Sequence, residues 1–311
     1  MNALEEKSAT AVAIKNLLFA TDFSEASEAA LPYAAALSLR YGSTIHLAHV
    51  LPEIMFLRPG APDPAVLGSI YEEAHSVAQE KMQRVADRLK GFPHKTYVRH
   101  GKTCEVLADI IDEHEIDLLI AGTHGRTGLG KLVMGSVAEE ILRQAKCPVL
   151  TVGPKVVGTV AAPRHDRELP PQQINIRQVL YATDFKQESV EAVAHAVSLA
   201  YGFRARLTLM HVIESYDEHL HDRPGQIENI LQKLQGLVPE DAGLRYPPEI
   251  LAQFGTPAES ILQAAAERDA DLIVLGVRPS EGHIGAATHL GRTVAHKVIV
   301  GAPCPVLTVG N

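Results

Sequence analysis

The chain has 311 residues, a net charge of −8, 46% hydrophobic residues and a mean hydropathy of +0.02, which fits two domains that each bury their own core. The acidic balance argues against general nucleic-acid affinity, and the absence of Trp with only 5% aromatics removes stacking platforms for single strands. No apolar run approaches the length of a membrane span and residues 1–13 are too polar for a signal peptide, so the expectation is a cytoplasmic protein without nucleic-acid or membrane partners.

In chain order, short apolar runs alternate with helical patterns, the signature of parallel strands joined by crossover helices. Residues 16–20 predict a strand, followed by a helix capped at Ser24 and ended by Gly42. Residues 44–50 predict the second strand, 71–89 a helix by apolar spacing, and 94–100 the third strand. A helix over 103–113, a strand over 117–122, a helix over 136–145 and a strand over 149–152 complete the unit. The Pro- and Gly-bearing stretch 52–68 reads as a loop.

The same layout then returns. "LLFATDFSEAS" from Leu17 reappears as "VLYATDFKQES" from Val179, "LAHVLPE" from Leu47 as "LMHVIES" from Leu209, and "KCPVLTVG" from Lys146 as "PCPVLTVG" from Pro303. The offset is 162 residues from Asp22 to Asp184, 154 from Gly101 to Gly255 and 157 from Cys147 to Cys304. The second copy has therefore lost eight residues in its middle and gained three near its last loop. The expected domains are 1–154 and 177–311, joined by a linker over 155–176. Five strands per domain with right-handed crossovers make an α/β, doubly wound parallel sheet. If strands one and four are neighbours, Asp22 and Gly122 meet at the switch point where such sheets bind ligands.

After the fourth strand, the first copy reads "AGTHGRTGLGKLVMGSVAEEIL". Gly122 and Gly125 permit close backbone approach, and Gly135 and Ser136 open a helix whose dipole favours an anion. Arg126 and Lys131 add positive charge, and His124 either reaches a phosphate or faces water. A P-loop reading of residues 125–131 fails because Leu132 replaces the magnesium-binding Ser or Thr, and Gly135 interrupts the expected helix.

The doubled "ATDFS"-type turn, the "HV" strand end, the Gly-x2-Gly-x9-Gly-Ser loop and the "CPVL" strand together resemble the universal stress protein family over nearly the whole chain. The resemblance implies two five-stranded parallel sheets of order 3-2-1-4-5 and, in the nucleotide-binding branch, ATP with magnesium held mainly through the phosphates. It places Ala20, Thr21 and Asp22 beside ribose and base, and Val50, Ala121 and Gly122 around adenine. His124, Gly125, Arg126, Gly135, Ser136 and Val137 then surround the phosphates. In the second copy Pro279 stands at the position of Gly125 and Arg292 at that of Gly135, so its loop departs from the pattern.

The function expected is that of an ATP-binding cytoplasmic stress-response protein working by nucleotide occupancy and protein interaction. The alternatives are a non-nucleotide scaffold and a slow ATPase. A homodimer through edge strands is also expected, as is pairing of the two domains like a built-in dimer. His219, His221, Asp217 and Asp222 lie close together, but a solvated loop outweighs a metal site there. His49 and His211 read as core or carbonyl-bonded imidazoles, and Cys147 and Cys304 as small buried thiols.

Overall fold

A computed structural model of the protein describes residues 12–52, 64–123, 134–157, 174–214, 223–277 and 293–310. Its first strand, β1 (Asn16–Ala20), carries Leu17, Leu18 and Phe19, all fully buried, as a parallel strand covered on both faces requires. β1 pairs in parallel with β2 (Thr44–Leu51) on one side and β4 (Leu118–Gly122) on the other. β3 (His94–His100) flanks β2 and β5 (Val149–Val152) flanks β4, so the order is 3-2-1-4-5. β6 (Gln178–Ala182), β7 (Arg206–Ile213), β8 (Glu249–Phe254), β9 (Leu272–Gly276) and β10 (Val306–Val309) repeat that order.

The helices of the first half are α1 (Glu25–Glu28), α2 (Leu31–Tyr41), α3 (Pro64–Arg88), α4 (Thr103–Glu113) and α5 (Ser136–Gln144), with a short α6 (Pro154–Val157) beyond β5. Those of the second half are α7 (Gln187–Glu191), α8 (Val193–Phe203), α9 (Arg223–Gln235), α10 (Pro257–Glu267) and α11 (Val294–Gly301). Ser24 caps α1 by accepting from the Ser27 amide, and Gly42 closes α2 at φ 70°, as the sequence predicts.

Two local expectations need correction. The helix expected from Ser24 to Gly42 is broken into α1 and α2 around Ala29 and Ala30. Pro32 sits in the first turn of α2, where its missing N–H costs nothing. The second half breaks at Ala192 without a proline, so Pro32 accommodates the break rather than causing it. The loop expected over 52–68 ends earlier, because α3 starts at Pro64, a residue suited to a first helical turn, and takes in Gly68.

The halves merge into one ten-stranded sheet through antiparallel pairing of β5 with β10. Two side-chain bonds cross this seam with two-fold symmetry: Thr151 Oγ1 donates to the Val306 carbonyl at 3.1 Å, and Thr308 Oγ1 to the Val149 carbonyl at 3.2 Å. Thr151 and Thr308 are equivalent in the repeat, as are Val149 and Val306. On one face the core is continuous across the seam, joining Phe19, Leu31 and Leu150 to Val179, Tyr181 and Leu307. Tyr41 on α2 donates its hydroxyl to the Ser198 carbonyl on α8, and the ring tip occupies the space that a Cβ at Gly202 would need. The edge-strand pairing anticipated from the sequence is thus made within one chain.

Cys104, Cys147 and Cys304 are all buried free thiols, pushed up to about 12 chiefly by burial. Among the described residues no helix is long and apolar enough to cross a membrane. The polar cluster of Asp217, His219, His221 and Asp222 lies outside the described residues.

Buried His46 lies between the Tyr97 hydroxyl, 3.0 Å from its Nδ1, and Asn16 Oδ1, 3.3 Å from its Nε2, with the His114 ring centred 4.9 Å away. Burial first, then His114 and Lys95, pulls its pKa from 6.5 to about 4. The unfolded chain therefore binds this proton more readily, so stability is full above pH 6.5 and is lost as the pH falls towards 4. Urea melts across that window should show His46 contributing about 2–3 kcal/mol to the decline. The His46→Gln variant should show a correspondingly shallower pH dependence. Separately, Thr151→Val and Thr308→Val should each lower stability by about 1 kcal/mol in denaturant melts, since each removes one buried bond across the seam.

Candidate functional site

At the carboxyl ends of β1, β2 and β4, the register sets three alanines side by side. Ala20 lies opposite Ala48 on one side and Ala121 on the other. Opposed residues of a parallel sheet point to the same face, so the three methyl groups form a flat, low floor. Val50, Leu107 and Ile141 rise around it, and the half-open cavity measures about 190 Å³. One water needs only about 10–15 Å³ on the same measure, so the space suits part of an organic ligand.

The turn after β1 supplies the polar rim. The Thr21 amide donates to the Ala48 carbonyl at 2.9 Å, and Thr21 Oγ1 accepts from the Phe23 amide at 2.9 Å. Asp22 Oδ1 accepts from the Ser24 amide and hydroxyl at 3.0 and 2.6 Å, which orients the carboxylate at the pocket. Phe23 adopts a left-handed φ of 63°, a strained conformation for an aromatic residue that the surrounding contacts must hold. Its ring sits 4.3 Å from that of His49, whose Nδ1–H donates to the Thr21 carbonyl at 2.7 Å. The Lys81 ammonium lies over the Phe23 ring, 5.8 Å from its centroid. The Arg88 guanidinium, 2.8 Å from Glu28 and almost wholly buried, ties α1 to α3 and steadies the turn from behind.

Gly122 and Gly135 have separate reasons to be glycine. A Cβ on Gly122 would lie 2.7 Å from the Ala26 carbonyl oxygen, so only glycine lets α1 approach the end of β4. Gly135 is the N-cap of α5 and offers no side-chain cap, and its own amide donates to the Thr123 carbonyl at 2.9 Å. The first amides of a helix have no carbonyl one turn back, so the start of α5 presents donors and the positive end of a dipole towards the pocket.

Of the twelve residues singled out from sequence, nine line this one cavity: Ala20, Thr21, Asp22, Val50, Ala121, Gly122, Gly135, Ser136 and Val137. His124, Gly125 and Arg126 lie outside the described residues. The structure adds Ala48, His49, Thr103, Leu107 and Ile141 among others. The doubled "HV" motif marks His49 as a core or carbonyl-bonded imidazole; it is both buried and carbonyl-bonded, and its place on the pocket wall is new. Nothing in the sequence marks Thr103 and Leu107, which arrive on α4 only through the crossover packing.

The second half repeats the turn but not the cavity floor. His211 Nδ1 meets the Thr183 carbonyl at 2.8 Å, Phe185 has φ 61°, and Lys233 lies 5.8 Å from its ring. In the alanine row, however, Ala182 lies between Met210 and Leu275, both buried in the hydrophobic core. Larger side chains thus stand where the first half has alanines. Asp184 accepts from Ser189 Oγ at 2.6 Å and pairs with Lys186 at 2.8 Å. Burial would raise its carboxyl pKa, but the bonds from Lys186 and Ser189 outweigh that and lower it. The Tyr181 hydroxyl, at the repeat position of Phe19, donates to the Ser189 carbonyl, and a Cβ on Gly276 would come within 2.3 Å of Ser189 Cα. α7 therefore sits hard against β9. Thr293 caps α11 by accepting from the His296 amide at 3.2 Å, satisfying internally a donor that α5 leaves without a side-chain cap.

The universal stress protein family model matches residues 13–153 and again residues 175–310. A universal stress protein of Methanocaldococcus jannaschii is 30% identical over 158 residues, covering 45% of this chain and 96% of that relative. One from Mycolicibacterium smegmatis is 27% identical over 302 residues, covering 94% of this chain and 96% of the relative. Among solved structures, a universal stress protein from Archaeoglobus fulgidus superposes with a TM-score of 0.66 at 19% identity, covering 95% of this chain and 98% of that one, a likeness of fold. With two matches in tandem spanning most of its length, the chain belongs to the universal stress protein family as a two-domain member.

Proposed function

We propose that the first half binds ATP in the cavity above the alanine row and that the second half does not, so that one nucleotide per chain signals a stress state by occupancy in the cytoplasm. The observation that carries this reading is the Ala48–Ala20–Ala121 floor facing the start of α5. A flat apolar floor accepts a purine, and a helix start with a glycine cap accepts phosphate. Asp22 would accept from ribose hydroxyls, and the Val50 backbone would meet the adenine edge. The amides at Gly135, Ser136 and Val137 would receive the phosphates, with magnesium held through them. His124, Gly125 and Arg126 complete the proposed phosphate loop.

Occupancy has a physical route to the rest of the chain. Met134 and Ala138, on either side of the α5 start, belong to the same buried cluster as Ile261, Val298 and Ile299 of the second half. A ligand that fixes the start of α5 would bias the contacts between the halves, which is a population shift linked to binding. β5 and β10 occupy each other's edges, so a homodimer through edge strands would have to use β3 or β8 among the described strands.

Acid extraction of the purified protein, and calorimetry with ATP on stripped protein, test the reading. One adenine nucleotide per chain is expected; two per chain would overturn the assignment of the second half. Ala48→Met or Ala121→Leu, which copy the second half's residues into the first, should lower ATP affinity at least about tenfold while circular dichroism shows the fold retained. Unaltered affinity in both would place the base elsewhere. Gly122→Val is the poorer probe, since its Cβ would strike backbone and disturb the fold. Ser136→Ala, which removes a hydroxyl beside the proposed phosphates and keeps the amide, should weaken ATP about tenfold while leaving adenosine binding unaffected, because on this reading only the phosphates reach α5.

A further inference from the structure

At the outer edge of the sheet, α3 and the end of β3 bring two imidazoles together. His75 lies four residues after Tyr71 and four before Gln79 on α3, so the three share one helix face. His100 closes β3, the edge strand of the first half, three residues before Thr103 of the cavity wall. His75 Nδ1 stands 3.2 Å from His100 Nε2, with the rings stacked at 5.3 Å. Gln79 Nε2 lies 3.0 Å from His75 Nε2, and the Tyr71 ring packs against His100 at 4.7 Å.

Two imidazole nitrogens at this separation match neighbouring ligands on one ion, for which Zn–N bonds near 2.05 Å at a tetrahedral angle give about 3.3 Å. Without an ion, a single proton lies between them: His75 Nδ1–H donates to His100 Nε2, and His75 Nε2 accepts from the Gln79 amide. With an ion, that proton moves to His75 Nε2, and rotating the Gln79 amide presents Oε1 to accept it. The pair neither gains nor loses a proton overall, and both rings turn slightly so that their lone pairs leave the N–N line and converge on the ion.

We propose that His75 and His100 form a two-histidine site for a borderline divalent ion, Zn²⁺ or Cu²⁺, with water completing the shell and Gln79 as the positioning residue. Imidazole selects such ions over Mg²⁺ and Ca²⁺, which prefer oxygen. Among the described residues no group of three or more His, Cys, Asp and Glu forms, so the site is open and exchangeable rather than structural. Phe254 occupies the position of His100 in the second half, so the repeat does not carry a second copy of this pair. The site stands independently of nucleotide binding.

The test uses the full chain, with Zn²⁺ followed by calorimetry and Cu²⁺ by electron paramagnetic resonance. Because the chain carries 15 histidines, the quantity to read is the difference between wild type and the His75→Ala/His100→Ala double variant. One equivalent of Zn²⁺ should be lost in the double variant, and each single variant should weaken it at least about tenfold. The wild-type Cu²⁺ spectrum should carry coupling to two nitrogens that either single variant removes. Gln79→Leu should weaken Zn²⁺ several-fold and Gln79→Glu restore it, an order that a merely structural glutamine would not produce. Titrations and spectra indistinguishable between wild type and the double variant would overturn the proposal.

Discussion

Side chains that face one another across parallel strands must rise on the same face, and that lateral constraint governs this molecule. Because Ala20 is in register with both Ala48 and Ala121, the size of three residues decides whether the strand ends form a floor or a filled core. Everything else at the site is arranged above that row. The Thr21–Asp22 turn is held by His49 and Phe23, Gly122 admits α1, and the start of α5 closes the far side. The same register in the second half sets Met210 and Leu275, both in the buried core, beside Ala182 without altering the topology.

The two halves share a structural load despite these differences. The β5–β10 seam, its two-fold threonine bonds and the core continuous across it bind the copies into one sheet. In the second half the polar rim is turned inward as well. Asp184 is engaged by Lys186 and Ser189, and Tyr181 secures α7 through the Ser189 carbonyl. A buried hydroxyl with a partner, a filled floor and a self-capped α11 all favour stability over ligand access. The first half keeps the reverse arrangement, with alanines, a glycine cap and a carboxylate oriented by a serine.

The stack of Lys over Phe beside His, present at Lys81–Phe23–His49 and again at Lys233–Phe185–His211, is common to both halves despite that divergence. Each phenylalanine has a positive φ, and each histidine holds the carbonyl two residues before that phenylalanine. The stack therefore serves the turn itself, and the turn is needed in both halves to carry the chain from the first strand into its helix. What lies beside the turn is what differs.

The strands and helices, the repeat and the phosphate-suited glycine motif were legible in the sequence, because apolar runs, helix caps and glycine spacings are local signals that survive without tertiary context, whereas the strand order came only through the family resemblance. The nine cavity-lining residues named from sequence came mainly through the family resemblance, which matches motifs at strand ends and helix starts; residue chemistry alone had pointed to Asp22, Gly122, Gly135 and Ser136. The break at Ala29–Ala30 and the early start of α3 could not be read, since packing overrode the continuous helical pattern and the loop-like composition. Nor could Thr103 and Leu107, which reach the cavity only when α4 crosses over the sheet. The sequence by itself determined that two copies of one α/β unit exist and where their strands end. Only the tertiary structure decided that Ala48 and Ala121 flank Ala20 while Met210 and Leu275 flank Ala182, because lateral register joins residues far apart in the chain that no local pattern brings together.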